Sequence, residues 1–331
     1  MINPYITRSP IKEPEGFCGR KDVLMKGFRD IVRKPMQSHC VIGERRIGKT
    51  SLLFQFMNSQ VQGDYLRDIS SIFIKTDISL FPDALPVTFL EEWTKRILER
   101  LEGLSAAESG YFGFRRLIED TMEENYRIVI LLDEFEAVID NSNLDRGFFE
   151  FLRALTQNYD VSFILFSRSP LQHFLEVEKF ISTGSSPFFN SLNISYLKFL
   201  GEEDARRLIE DPSRKAGVDI TSFTDFILEQ AYYHPFLLQQ LSSIVFDSIR
   251  SSDIDRAKML DEFRIQTEEF FTYLWQHSDQ DEQEALRDLA GGNQDIPKIT
   301  LDKLERRSLL KEGQIEIFCP LFGEFVRRLK R

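Results

Sequence analysis

The stretch GERRIGKTS, from Gly43 to Ser51, follows the short apolar run SHCVIG (38–43) and opens the segment TSLLFQFM (50–57). It fits G-x-x-x-x-G-K-[ST] in the strand, glycine turn and helix setting that gives this spacing its chemistry. Gly43 and Gly48 let the backbone curl so that its N–H groups face a phosphate, with Glu44, Arg45, Arg46 and Ile47 forming the arc between them. The helix start adds its dipole to the same point. Lys49 would bridge the β- and γ-phosphates, the Thr50 hydroxyl would ligate Mg²⁺, and Ser51 completes the expected nucleotide-binding set.

Outward from this loop, β-rich runs alternate with helix-like stretches from about residue 38 to 200. The strands read SHCVIG (38–43), SIFIKTD (71–77), RIVILLDE (127–134), VSFILFS (161–167) and SYLKFL (195–200). TFLEEWTKRILERL (88–101) and RGFFEFLRALTQNY (146–159) are among the helical stretches between them. Near-continuous apolar strands alternating with helices predict an α/β fold with a parallel sheet covered on both faces. RIVILLDE ends in two acids, which such a sheet places at its ligand-binding edge. Asp133 is then expected to hold Mg²⁺ through its water shell, and Glu134 to orient and deprotonate an attacking water. Glu136 reads as a solvated carboxylate at a helix start.

Composition narrows the function classes. The 331 residues carry 42 basic and 53 acidic side chains, a net of −11, which argues against coating nucleic acid or an anionic membrane. Hydrophobic residues make up 42%, with 30 Phe, enough for a sizeable core. FLEEW, FFEFL, FILF and PFLLQ are its expected contributors. The longest apolar run, Ile128–Leu132, is far too short to span a membrane. MINPYITRSPIKEPEG lacks the apolar centre of a signal peptide, and Cys18, Cys40 and Cys319 have no metal-ligand spacing. Together these predict a cytoplasmic globular protein.

Past residue 200 the pattern becomes helical: EEDARRLIED (202–211), then SFTDFILEQAYYHPFLLQQLSSIVFDSIR (222–250), broken near Pro235. A long helix to about His277 follows, then DEQEALRDLA (281–290) and TLDKLERRSLL (300–310). KEGQIEIFCP (311–320) predicts a β-hairpin turning at Gly313, before a last helix, LFGEFVRRLKR. This order suggests a winged helix-turn-helix.

These motifs resemble the STAND ATPases of the AAA+ superfamily, specifically the short archaeal and bacterial branch. FCGRKDVL (17–24) looks like the family's box before the phosphate loop, which would put Gly19 and Arg20 at the adenine side. VSFILFSRSPL looks like its sensor-1 strand, ending in Ser167 and Arg168. Arg168 would sense the γ-phosphate and stabilise developing charge, or else pair with a surface acid. AYYHPFLLQQL looks like the G-x-P element, with Pro235 near the adenine, Tyr233 replacing the usual Gly, and His234 read as a structural histidine. The resemblance implies a P-loop NTPase core at 1–200, a helical lid at 201–255 and a winged-helix domain at 256–331.

It also implies ATP or ADP with Mg²⁺ as cofactors, and a slow, regulated ATPase serving as a molecular switch. Its expected partners are other copies of itself and a separate effector or sensor protein, in roles such as prokaryotic antiphage defence. Arg146 and Arg153 are the candidates for an arginine finger acting in trans. The competing reading is a DNA-engaged AAA+ ATPase resembling archaeal replication initiators or transposition regulators. Charge weighs against it, since residues 255–331 carry 13 basic and 16 acidic side chains. Arg306, Arg307 and the tail Arg327–Arg331 are the cations that would touch nucleic-acid phosphates; the alternative is a solvated amphipathic helix whose cations complement its dipole.

Overall fold

Alternate residues of RIVILLD face opposite sides of a sheet, and both sides are greasy. In the computed structural model, which describes residues 2–101, 108–168 and 188–329, Ile128, Ile130 and Leu132 enter one core and Val129 and Leu131 another. That period-2 division requires helices on both faces.

The strands are β1 (Ser38–Ile42), β2 (Ser71–Asp77), β3 (Arg127–Asp133), β4 (Val161–Ser167) and β5 (Leu192–Tyr196). They lie in the order β2-β3-β4-β1-β5, and every pairing is parallel. One face is covered by α1 (Lys21–Val32) and α2 (Lys49–Met57), whose Phe28, Leu52, Leu53 and Phe56 pack on Val41, Val129 and Phe166. A short α3 (Ser59–Leu66) follows α2. At the α1–α2 contact a Cβ on Gly27 would lie 2.5 Å from the Phe56 ring, so the two helices approach closely only because residue 27 is glycine. The other face is covered by α4 (Pro86–Leu98), α5 (Gly110–Glu123) and α6 (Arg146–Asn158), centred on the fully buried Trp93. The expected core segments FLEEW, FFEFL and FILF sit at these positions: Phe89, Leu90, Phe148, Phe149, Leu152 and Phe163 are all buried.

The expected strand SYLKFL begins and ends three to four residues earlier, at Leu192–Tyr196. Its partner β1 stops at Ile42, where the glycine loop starts, so pairing runs out opposite Tyr196 and Leu197 N–H makes the last bond to Ile42 O, 2.7 Å. At the far end of β1, His39 bridges Asp30 of α1 (Nδ1–Oδ2 2.8 Å) and Ser195 of β5 (Nε2–Oγ 3.0 Å), all buried.

The remaining helices among the described residues are α7 (Glu202–Lys215), α8 (Thr224–Ala231), α9 (Pro235–Ser251), α10 (Arg256–Gln276), α11 (Gln280–Ala290), α12 (Lys298–Arg306) and α13 (Pro320–Arg328). The break expected near Pro235 falls between α8 and α9, where Tyr232 takes φ +51° and Pro235 starts the new helix. One hydrophobic cluster runs through α7–α13, from Ala205 to Val326, and includes Phe236 and Leu238 of PFLLQ. The hairpin expected at 311–320 is reduced to a single antiparallel bridge, Leu310–Ile317, around a turn with Gly313 at φ +68°. Pro320 has no N–H and begins α13, so the second strand has no room to extend the ladder. Among the described residues, no helix is long and apolar enough to cross a membrane.

Candidate nucleotide-binding site

The strand register sets the stage: Asp77 pairs with Asp133, and Ile42 with both Ser167 and Tyr196, so the C-terminal ends of all five strands form one rim. The glycine loop leaves β1 at this rim. Gly43 N–H bonds Ser167 O at 3.0 Å, and a Cβ there would come within 2.8 Å of Ile47 and 3.0 Å of the Leu197 carbonyl. Gly48 caps α2 at φ +107°, and Arg46 also sits left-handed at φ +62°. Successive residues alternating in hand are what turn backbone N–H groups toward a common anion.

Lys49 is buried in the loop, its Nζ donating to the carbonyls of Gly43 (2.9 Å) and Glu44 (3.3 Å). The Thr50 hydroxyl donates to Asp133 Oδ2 at 2.9 Å, so the two side chains expected to share Mg²⁺ meet across α2 and β3. Burial raises the Asp133 carboxyl above its ordinary value, opposed by that bond and by the Glu134 N–H. A hydroxyl and a carboxylate in contact at the start of the loop helix suit a hard cation. Among the described residues no group of three His, Cys, Asp or Glu could hold a metal ion.

Glu134 follows in the left-handed region, φ +49°, and lines the same cavity as the loop. Burial, and then the neighbouring Glu136 charge, push its carboxyl up to about 7. Glu136 itself departs from expectation: it is 6% exposed rather than solvated, because the chain after β3 turns into a tight helical turn (Phe135–Val138) beneath β4. There Glu136 Oε1 lies 2.8 Å from Arg168 Nε, and its Oε2 accepts from Arg168 N–H at 3.2 Å. Arg168 therefore pairs with a buried acid, and its guanidinium also donates to the Tyr273 hydroxyl of α10. Burial alone would lower this guanidinium; the bond to Tyr273 and the Glu136 charge outweigh it and raise it.

Arg20 points inward. Its guanidinium donates to the carbonyls of Phe199 (2.9 Å), Lys198 (2.5 Å) and Ile47 (3.3 Å), and burial lowers it to about 10. It lines the cavity while bracing the loop from behind. Gly19 does not line the cavity; it packs against α7, where a Cβ would lie 2.9 Å from Asp204 Oδ2. Pro235 does line it, whereas the Tyr233 ring packs at a tilt against Tyr232 and the Tyr233 carbonyl accepts from Leu200 N–H. His234 is buried among Phe199, Phe270 and Phe318. Arg146 pairs with Glu150 along α6 at 2.7 Å, and Arg153 lies one turn further on; neither lines this cavity.

Three contacts had no signal in the sequence. Glu44 Oε2 lies 2.8 Å from Arg307 at the end of α12, and Arg307 also bonds Glu282 at 2.7 Å. Glu282 is the reciprocal partner of Asp279 in the capping box of α11, so the arginine is locked against a helix start. Arg45 lies over the Tyr273 ring at 4.4 Å, and Arg46 over the Phe236 ring of α9 at 4.2 Å. Arg307 is thus held by acids and turned inward, rather than facing nucleic acid or standing solvated, while Arg306 is exposed. In the basic tail, Arg327 and Arg328 are exposed, and Lys330 and Arg331 lie outside the described residues.

The cavity between these groups holds about 300 Å³, in the range of small-molecule sites. It is apolar at Ile11, Phe17, Leu208, Pro235 and Phe236 and cationic at the loop, a division that suits a base and its phosphates.

A model of the family described as Novel STAND NTPase 2 matches residues 31–294. Among solved structures, a Walker-type ATPase of Pyrococcus abyssi superposes with a TM-score of 0.68 at 17% identity, covering 97% of this chain and 99% of that one. The ORC2 protein of Aeropyrum pernix, in ADPNP–ADP complexes, gives 0.58 at 12% identity over 98% and 94% of the two chains. The ORC1 protein of the same organism, in complex with DNA, gives 0.50 at 10% over 94% and 92%. No curated protein matches the sequence. At these identities the likeness is one of fold: a P-loop NTPase core of the AAA+ type.

Proposed function

The chain belongs to the Novel STAND NTPase 2 family, and from that premise we propose an ATP-binding, ATP-hydrolysing switch whose nucleotide state governs docking of its C-terminal helices on the phosphate loop. The observation that carries this reading is the Glu44–Arg307–Glu282 contact. It joins the second residue of the loop to the last third of the chain, so a change in loop geometry has a direct mechanical outlet. A ligand inverts a 1:99 population only by binding the favoured state about 5.5 kcal/mol more tightly, and in this reading the γ-phosphate contacts are the source of that difference, since undocking returns both charges of the Glu44–Arg307 pair to water.

In this reading residues 1–200 form the ATPase core, 201–255 the lid and 256–331 a winged-helix unit. Lys49 leaves the loop carbonyls to bind the β- and γ-phosphates. Thr50 and Asp133 would hold Mg²⁺, which when bound offsets phosphate charge. Glu134 orients the attacking water and takes its proton, which requires its ionised form. Arg168 turns from Glu136 and Tyr273 toward the γ-phosphate, which ties hydrolysis to release of α10. Released helices would expose surface for another copy or for an effector protein. The DNA-engaged alternative has less support, because Arg307 is committed to acids and the region is net acidic.

Light-scattering mass of the wild type and of Glu134→Gln, with ADP, with ATP and with duplex DNA, tests the proposal. Assembly with ATP, strongest in the variant, is expected. A monomer in every state would overturn self-association, and salt-sensitive stimulation of hydrolysis by DNA would favour the alternative.

A further inference from the structure

Residues 3–12 form a strap along the wall of the nucleotide cavity, tied down at both ends. On the lid side, Asn3 Nδ2 donates to Asp247 Oδ2 (2.8 Å) and to the Ser243 carbonyl (3.0 Å), and the buried Tyr5 hydroxyl donates to Ile209 O. Ile6 N–H donates to Gln239 Oε1 of α9 at 2.9 Å. On the core side, Ile11 N–H donates to Ser51 Oγ at 3.0 Å, and Gln55 Nε2 to Lys12 O at 3.3 Å, both on α2. The span between, Thr7–Pro10, lines the cavity.

At the middle of that span stands Arg8. It is exposed, and among the described residues no ion pair or side-chain hydrogen bond engages it. It shares the cavity wall with Arg45, Arg46 and Lys49. The Arg46 guanidinium is lowered first by burial and then by Arg45, with Arg8 adding to the effect against Glu269. Cations gathered around one cavity repel each other until an anion joins them. The anchors on either side, at Ile6 and Ile11, hold the backbone of the span along the cavity, which keeps the exposed Arg8 side chain within reach of it.

We infer that Arg8 is a further phosphate-binding cation of this site, delivered by the strap, so that bound nucleotide fastens lid helix α9 to loop helix α2. The inference rests on the nucleotide-binding reading above and adds to it a residue from outside the phosphate loop. Charge-assisted guanidinium–phosphate bonds are among the stronger ones in proteins, and about a tenfold affinity change is the effect to look for.

The test is a titration with a fluorescent ADP analogue on the full chain. Arg8→Ala is expected to bind about tenfold more weakly, Arg8→Lys to fall between, and Lys12→Ala to bind as the wild type. Lys12 is an exposed strap cation beside Phe54 that does not line the cavity, so it controls for net charge. Amide exchange over residues 7–11 should slow with ADP in the wild type and much less in Arg8→Ala. Unchanged affinity in Arg8→Ala, or an equal loss in Lys12→Ala, would overturn the inference while leaving the site's identity intact. A wild type that fails to bind ADP would instead overturn the reading beneath it.

Discussion

Arg307 and Glu44 are 263 residues apart in sequence and 2.8 Å apart in space. Burial alone would lower the arginine, yet the carboxylates of Glu44 and Glu282 outweigh it and hold the guanidinium above its ordinary value. Removing the cation leaves two buried acids facing each other. Arg307→Ala is therefore expected to release bound ADP on the order of tenfold faster, measured by chase of a fluorescent analogue. Because Glu44→Gln removes part of the same contact, the two effects should be less than additive.

Glu134→Gln keeps the shape of the side chain and removes its basicity. Binding of ATP should persist, while phosphate release in a steady-state assay should fall by about 10²–10⁴, the usual contribution of a positioned base. Equal hydrolysis by the variant would remove Glu134 from the mechanism.

The Thr50–Asp133 pair gives a separate test. Asp133→Asn retains a hydrogen-bond acceptor for the Thr50 hydroxyl but not the charge a hard cation needs. Titrations with and without Mg²⁺ should show the metal strengthening ATP binding in the wild type and having little effect in the variant.

His234 carries a pH prediction. Burial, with lesser contributions from Arg20 and Arg46, lowers it to about 3, so the folded protein keeps it neutral while the unfolded chain protonates it below about 6.5. A depressed histidine makes the unfolded state the better proton binder, and stability is lost as pH falls from about 6.5 toward 3. By pH 5 the loss is about 2 kcal/mol. Urea midpoints at pH 7.5 and 5 should differ less in His234→Phe than in the wild type.

Two glycines should respond in opposite directions to alanine. Gly27→Ala gains about 1 kcal/mol of helix propensity but drives a Cβ to 2.5 Å from Phe56, and overpacking of about 1–3 kcal/mol prevails. Gly63→Ala, on α3 with nothing within 4 Å, should keep the propensity gain and raise the melting temperature. Thermal melts of the two variants decide the matter.

What could be read from sequence was the chemistry encoded by neighbours. The loop, β2 and β4 are legible because periodicity and glycine spacing act within a few residues. The ends of β5 are not, because Tyr196 stops pairing where β1 stops, a fact held by another strand. The hairpin was overextended because IEIF alternates while Pro320 cuts its ladder short. Glu136 looked solvated because nothing near it in sequence says that Arg168 will cover it. The contacts of Arg307 and Tyr273 with the core have no local signal, since Glu44, Arg45 and Arg168 lie in the loop and at the end of β4, far upstream.

The loop positions between Gly43 and Gly48 are ordinarily where a phosphate-binding motif tolerates any residue. Here Glu44, Arg45 and Arg46 each answer to a different helix: α12, α10 and α9. The freedom to vary is therefore traded for covariation. A change at residue 44 is expected to persist in descendants only with a matching change at residue 307, and changes at 45 and 46 only with changes at 273 and 236. A motif that is usually inherited by itself becomes, in this chain, one side of an internal interface.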